Sequence, residues 1–491
     1  MSLRSPNIVM IMVDQMAYDC IGALGHPIVK TPNIDKLVRE GVAFANAYCN
    51  SPLCAPSRAS FVTGKLPSRI AAYDNGSELP ASTPTFLHAL RRAGYETILS
   101  GKMHFVGPDQ LHGFEHRLTR DIHATGFELT PDWSRGTYPN PGTGVRRLKA
   151  HAGLETWNNH LAYDEKVASR ALEKIRDLGR VPAEERRPFF LCASFFHPHD
   201  PFVITEKYWN MYKDAAVPAP RVPAAAPERM HPFDRWIQTH HEADAFPLTE
   251  EELIANRRAY YGMVTYVDDK VGQLVDELAR LQLLDDTVVM LTSDHGEMLG
   301  ERGMWFKRTY FDPSAKVPLV LSCPGRFRAG AVAREAVSLV DLTATILDLA
   351  GVPDAAERIG ETDGRSFLPV LTREGAEWKD EVVCEYYGEG ALRPMAFVRQ
   401  GRYKYVHVQG HEPLLFDLEL DPDERRNAID DPELQGTAAR LRERLHGLID
   451  FDRIEADVLR SQRERRLIGE ALATGTTAKW HPPIAGLSRE W

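Results

Sequence analysis

Four runs of strand length in this chain each hand straight on to polar, charge-bearing residues. Asn7 to Val13 leads into Asp14-Gln15, and Glu96 to Ser100 leads into Gly101-Lys102-Met103-His104. Phe189 to Phe196 leads into His197-Pro198-His199-Asp200, and Thr287 to Thr292 leads into Ser293-Asp294-His295-Gly296. A continuous apolar run, rather than an alternating one, belongs to a strand covered on both faces. Helical segments separate the runs. Thr31-Pro32 to Gly41 and Thr83-Pro84 to Gly94 carry capping punctuation, while Tyr163 to Leu178 and Glu250 to about Leu281 have helical spacing. Such alternation predicts an α/β fold built on a large, mainly parallel sheet with helices on both faces. Ligands of these sheets sit beyond the carboxyl ends of the strands. A histidine or aspartate after one strand is usually a turn residue or cap, but four polar clusters on one rim form a candidate site.

After about residue 375 the pattern changes. Val382 to Tyr387, Met395 to Arg399, Tyr403 to Val408 and Leu414 to Leu418 read as short antiparallel strands, and Asp430 to Asp450 as a helix. Two domains are therefore expected, residues 1–375 and a smaller α+β unit over 376–491. The stretch beyond Ser461 reads as a charged tail that could wrap the main body or a neighbouring subunit. From Phe105 to about Asn159 the chain is irregular and rich in Gly, Pro, His and Trp. Segments of that length inside a domain are usually functional or disordered.

Composition excludes several classes. A formal net charge of −10 does not favour a nucleic-acid partner. The run Ile8 to Val13 is too short for a membrane span and lacks the flanks of a secretion signal. Six scattered cysteines form neither a disulfide framework nor a paired zinc spacing. The expected location is the cytoplasm.

The chemistry concentrates around Ser51-Pro52-Leu53-Cys54-Ala55-Pro56-Ser57-Arg58. Pro56 suits a first helical turn and Gly64 a stop, which places Cys54 just before a helix N-terminus, where an anion is favoured. That placement suits a reactive thiolate or a group made from one, although a buried structural cysteine would read the same way. Asp14, Gln15, Asp294 and His295 suit a divalent ion, Ca²⁺, Mn²⁺ or Mg²⁺, with the histidine tilting the choice toward Mn²⁺. Arg58, Lys102 and Lys307 can neutralise an oxyanion, and His104 and His199 can transfer protons, with His197 in reserve. Lys307 reads equally well as a surface lysine lying over Trp305 and Phe306.

The Cys-x-Pro-Ser-Arg string resembles the signature of type I sulfatases, a family within the alkaline-phosphatase-like superfamily. The likeness runs from Asn7-Ile8-Val9 to Leu415-Phe416-Asp417-Leu418. Within the family the chain is most similar to choline sulfatases, through Ser51-Pro52-Leu53-Cys54, Tyr73-Asp74-Asn75, Gly107 to Phe114 and His197 to Pro201. The resemblance implies that Cys54 becomes formylglycine, made by a maturation enzyme, whose hydrate attacks sulfur while His199 protonates the departing alcohol. The sulfated hemiacetal then eliminates sulfate. It implies Lys102, His104 and Asn75 as sulfate-binding groups, Lys307 as the lysine after the second metal aspartate, and Cys54 as a further metal ligand. Asp14-Gln15 and Asp294-His295 occur in choline sulfatases and also in phosphonate monoester hydrolases. Phosphonate monoesters or phosphodiesters are thus the alternative substrates, and an anion-binding protein with an unconverted Cys54 is a second alternative.

A soluble small sulfate ester is the expected substrate, with a homo-oligomer possible through Trp480 to Trp491. Choline sulfate is not expected to be the best one. Choline sulfatases place a tryptophan where this chain has Leu129, and their long tail, which brings a carboxylate to a neighbouring site, is expected to be cut short after Trp491. Glu385 is the expected carboxylate for a cationic substrate, and Trp133 can stand in for the ring.

Overall fold

The structure is a computed structural model that describes residues 5–140, 142–352 and 359–476. The buried strand at Asn7–Val13 is β1, and the main sheet continues with β2 (Gly41–Tyr48), β3 (Glu96–Gly101) and β4 (His116–Arg117). A two-residue pair, β5 (Gly153–Leu154) and β7 (Val203–Ile204), stands apart from it. The remaining main-sheet strands are β6 (Phe189–Ser194), β8 (Thr287–Ser293), β9 (Leu319–Ser322) and β10 (Ala331–Ser338). They form an eight-stranded sheet in the order β10-β2-β9-β8-β1-β6-β3-β4. Only β9 runs against its neighbours. The strands with polar ends, β8, β1, β6 and β3, are consecutive in that order, in parallel register from Val13 opposite Ser293 to Gly101 opposite Ser194.

Both faces of the sheet are covered, as continuous apolar strands require. Ile8, Met10 and Met12 of β1 pack with Phe61 and Val62 of the Cys54–Thr63 helix and Leu87 and Leu90 of the Phe86–Arg92 helix. Val9, Ile11 and Val13 pack with the Pro32–Glu40, Asn159–Arg180 and Glu250–Arg280 helices on the other face. Each fully buried side chain of this kind is worth about 1.5–3 kcal/mol. The expected α/β architecture is observed.

A second, four-stranded antiparallel sheet follows in the order β11 (Glu381–Tyr386), β12 (Met395–Gln400), β13 (Tyr403–Val408) and β14 (Leu414–Asp417). Its Phe397, Val398 and Val406 belong to the same apolar layer as Ile8 and Phe61.

Several details differ from the sequence reading. Two further main-sheet strands that the apolar runs do not announce, β9 and β10, follow β8. The first is only four residues long, and the second carries exposed Arg334. Cys54 is the first helical residue, with Leu53 as the extended N-cap, rather than lying before the helix. The helix does stop at Gly64, which takes the left-handed conformation at φ 68°. The charged stretch beyond Ser461 is no tail up to Leu472, since Phe451–Leu472 is one helix. Its buried stripe runs Ile454, Val458, Gln462, Arg465, so the apolar signal fades while the helical spacing persists. Residues Trp480 to Trp491 lie outside the described residues.

Candidate active site

The carboxyl ends of β1 and β8 bring Asp14, Gln15, Asp294 and His295 together, all without solvent exposure. Gln15 has φ 66°, a left-handed conformation rare for a non-glycine, and its N–H donates to Asp294 Oδ1 at 3.2 Å. Its Nε2 donates to Glu297 Oε2 at 2.6 Å and to Asp200 Oδ1 at 3.4 Å. Oε1 faces the other way and accepts from Lys307 Nζ. His295 Nδ1 lies 3.0 Å from the Gly296 carbonyl, which leaves Nε2 facing Cys54 Sγ at 3.2 Å.

One ligand atom each from Asp14, Cys54, Asp294 and His295 lies within 4.8 Å of the others. Two hard carboxylates and an imidazole nitrogen form a donor set that fits one divalent ion, and Gln15, next in the chain to Asp14, offers an amide oxygen as a further donor. Arg58 underlies this cluster. Its Nε donates to Asp294 at 2.8 Å and its Nη1 to the Lys102 carbonyl at 2.7 Å and Ser194 Oγ at 2.9 Å. Burial works against the Asp294 charge, but Arg58 and His295 outweigh it and hold its carboxyl below the usual range.

Cys54 opens its helix in a field of cations. Burial alone would raise its pKa, yet Lys102, Lys307 and His295 hold the thiol well below its ordinary value. Lys102 Nζ reaches Asp14. That lysine is delivered by Gly101 (φ 118°), whose backbone passes so close to Ser194 that a Cβ would sit 1.9 Å from its carbonyl oxygen. Asn75 Oδ1 accepts from the Ala55 N–H at 3.0 Å, one residue after Cys54.

A cavity of about 420 Å³ opens above the cluster and is lined by Cys54, Asn75, His104, His199 and Lys307 among others. Both ring nitrogens of His104 are buried without a hydrogen-bond partner. The ring stacks on His123 with centroids 4.3 Å apart. His199 Nδ1 lies 2.9 Å from the Asp200 carbonyl and 3.2 Å from its carboxylate, and Nε2 lies 2.8 Å from Lys307 Nζ.

Of the residues expected to catalyse or bind substrate, Arg58, Lys102, His197 and Glu385 are absent from the cavity lining. His197 turns away, its Nδ1 2.6 Å from Asp164, which also accepts from the Phe196 and His197 N–H groups. Glu385 accepts from Ser68 N at 2.8 Å and Oγ at 2.9 Å, behind the cavity wall. The carboxylate that does line the cavity is Glu389, four residues on, and burial pushes it up to about 7. Trp133 is buried, with Nε1 donating to the Gly388 carbonyl, and supplies no wall. Leu129 does line the cavity.

Sequence reasoning missed Glu389, His123 and Arg308. Only the irregular Phe105–Asn159 stretch hinted at His123. Adjacency to Lys307 was the sole signal for Arg308, and Glu389 had none beyond its flanking glycines. No helix among the described residues is long and apolar enough to cross a membrane.

Comparison with known proteins places this geometry. The sulfatase family model matches residues 6–352, and the model for the C-terminal part of N-sulphoglucosamine sulphohydrolase matches residues 300–450. A choline-sulfatase of Rhizobium meliloti is 40% identical over 503 residues, covering 100% of this chain and 96% of its own. An arylsulfatase of Clostridium perfringens is 29% identical, covering 89% and 93%. The crystal structure of a phosphonate monoester hydrolase of Agrobacterium radiobacter superposes with a TM-score of 0.71 at 28% identity, covering 90% and 95%. The chain belongs to the sulfatase family.

Proposed function

We propose that this sulfatase hydrolyses sulfate esters of small alcohols, with position 54, converted to formylglycine, as the source of the nucleophile. The observation that carries the reading is the buried set of Asp14, Cys54, Asp294 and His295, flanked by Arg58, Lys102 and Lys307 and opening to a cavity of about 420 Å³. Residues 1–375 carry this chemistry, and 376–491 close the cavity with Glu389 and the C-terminal helix.

Asp14, Gln15, Asp294 and His295 would hold one divalent ion, Ca²⁺ or Mn²⁺. When bound, it lowers the pKa of a hydroxyl at position 54 and fixes its orientation. Lys102, Lys307 and the unpartnered nitrogens of His104 receive the nonbridging sulfate oxygens, whose charge they balance as bonds rearrange. Asn75 keeps Ala55 N–H engaged and presents its remaining donor, Nδ2, to the same anion. His199 Nε2, 2.8 Å from Lys307 Nζ, supplies the proton for the leaving oxygen once that lysine has turned to a sulfate oxygen, and the Asp200 carboxylate at 3.2 Å from Nδ1 stabilises the ring while it is charged.

The same cradle accepts a phosphoryl group, and the superposition on a phosphonate monoester hydrolase supports that second reading. Paired aryl esters that differ only at sulfur or phosphorus separate the two. A higher kcat/KM for the sulfate ester is expected, and a much higher value for the phosphonate would overturn the first choice.

A further inference from the structure

The Phe451–Leu472 helix reaches the reaction centre from the far end of the chain. Arg465 is 7% exposed and forks onto the fully buried Asp74, Nη1 to Oδ1 at 2.5 Å and Nη2 to Oδ2 at 2.7 Å. Asp74 Oδ1 also accepts from the Gly76 N–H at 2.9 Å, and the Ser77 hydroxyl closes the same turn on the N–H groups of Tyr73 and Asp74. Asn75 is the residue between these two fixed points, and it holds the Ala55 N–H at the start of the Cys54 helix. Arg465 Nη1 makes a third contact, to Thr130 Oγ1 at 3.1 Å. Thr130 presses on the turn from the other side, since a Cβ on Gly76 would meet its hydroxyl at 2.5 Å and its backbone N at 2.7 Å. Thr130 belongs to the cavity wall that includes Leu129 and Asp132. One guanidinium therefore joins the turn that steadies the nucleophile helix to the wall facing the leaving group.

We propose that Arg465 is a positioning residue for catalysis, which acts through Asp74 to fix Asn75 against the nucleophile helix and through Thr130 to set the leaving-group wall. This assignment rests on the cavity being the hydrolytic site. A planar fork is the suitable group, because bidentate pairing fixes the carboxylate in direction as well as distance. Lysine would keep the charge and lose the second and third contacts.

Kinetics and hydrogen exchange on the full-length protein test the proposal. R465Q is expected to lower kcat/KM for an aryl sulfate about tenfold or more, with R465K recovering only part of the loss. In an N75A background the same R465Q change is expected to cost clearly less than in the wild type, because the route through Asn75 is gone and only the Thr130 contact remains to be lost. A purely structural arginine would give equal losses in both backgrounds, which would overturn the proposal. Hydrogen exchange read by mass spectrometry, which needs no turnover, is expected to rise in R465Q over residues 73–77 and 127–132 while β1 and β8 stay protected. Unchanged exchange at both segments would also overturn it. Should R465Q not fold, D74N/R465Q removes both charges together and is read the same way. Failure of the wild-type protein to turn over any sulfate ester would refute the hydrolase reading, while the exchange measurement would still decide the clamp.

Discussion

Glu297 Oε2 accepts from Nε2 of Gln15 at 2.6 Å, while Oε1 accepts from the Leu299 and Phe306 N–H groups at 2.9 and 2.7 Å. One carboxylate thus fixes the Nε2 end of the Gln15 amide and leaves Oε1 to Lys307 Nζ and, on the proposed reading, to the ion. A glutamine at 297 would spend its only carbonyl oxygen on the two backbone donors and turn its own NH₂ toward Gln15. The Gln15 amide is then expected to flip and withdraw its oxygen from the proposed ion position.

The E297Q substitution is accordingly predicted to weaken Mn²⁺ or Ca²⁺ binding by about 10–100-fold, the usual cost of losing a group that orients a ligand. Calorimetric titration of the metal-stripped protein reads this directly. Unchanged affinity would show that Gln15 is not a ligand or that Glu297 does not orient it.

Glu385 and Glu389 separate by pH. Burial raises Glu385 to about 7, so the native protein keeps its proton where the unfolded chain, titrating near 4.5, has lost it. Stability from this group is full below about pH 4.5 and is lost as pH rises through about 7. Relative to E385Q, the wild type is predicted to lose on the order of 3 kcal/mol across that window. Denaturant unfolding at several pH values checks it, and a parallel pH dependence in both proteins would count against the assignment.

Glu389 titrates inside the cavity instead, where burial raises it to about 7 against the pull of Arg308. Above that pH its charge favours a cationic leaving group. The ratio of kcat/KM for a cationic ester over a neutral one is predicted to rise about tenfold between pH 6 and 8, equivalent to ~1.4 kcal/mol, and to stay flat in E389Q. A flat wild-type ratio would remove Glu389 from substrate contact.

The expectation against choline sulfate stands on a changed footing. The carboxylate that lines the cavity is Glu389 rather than Glu385, and Trp133 is no substitute ring. The aromatic faces in the cavity are partly taken, with Arg135 over Tyr138 at 4.9 Å and Lys102 over Phe196 at 5.6 Å. A free aromatic face is worth ~1–2 kcal/mol to a desolvated ammonium. At pH 6, where Glu389 keeps its proton, kinetics should therefore show no advantage of choline sulfate over a neutral alkyl sulfate of similar leaving ability. A clear preference for choline sulfate, abolished by E389Q, would show the opposite.

What could be read from the chain and what could not follows from how each part is buried. β1, β6 and β8 are covered on both faces and so appear as apolar runs, and their polar ends stand beside them in sequence. β2 and β10 are harder to see, because Asn46 and Arg334 interrupt them where the sheet meets solvent. The Phe451–Leu472 helix hides for a related reason. Its last inward positions are Gln462 and Arg465, which pair with Trp133 and Asp74 rather than with a core. His197 and Glu385 are buried polar groups with local partners, and only a third dimension shows that these partners face away from the cavity. Glu389 enters the site from the turn between β11 and β12 of the second sheet, a relation no spacing encodes.

The proposed hydrolysis depends on position 54 carrying the nucleophile in converted form. Mass spectrometry of the peptide spanning residues 51–58, from protein purified from its native host, tests it most directly. An aldehyde, seen as formylglycine or its hydrate, is expected at position 54. A peptide that is entirely thiol, in protein that binds sulfate without turning over its esters, would contradict it and leave an anion-binding protein in its place.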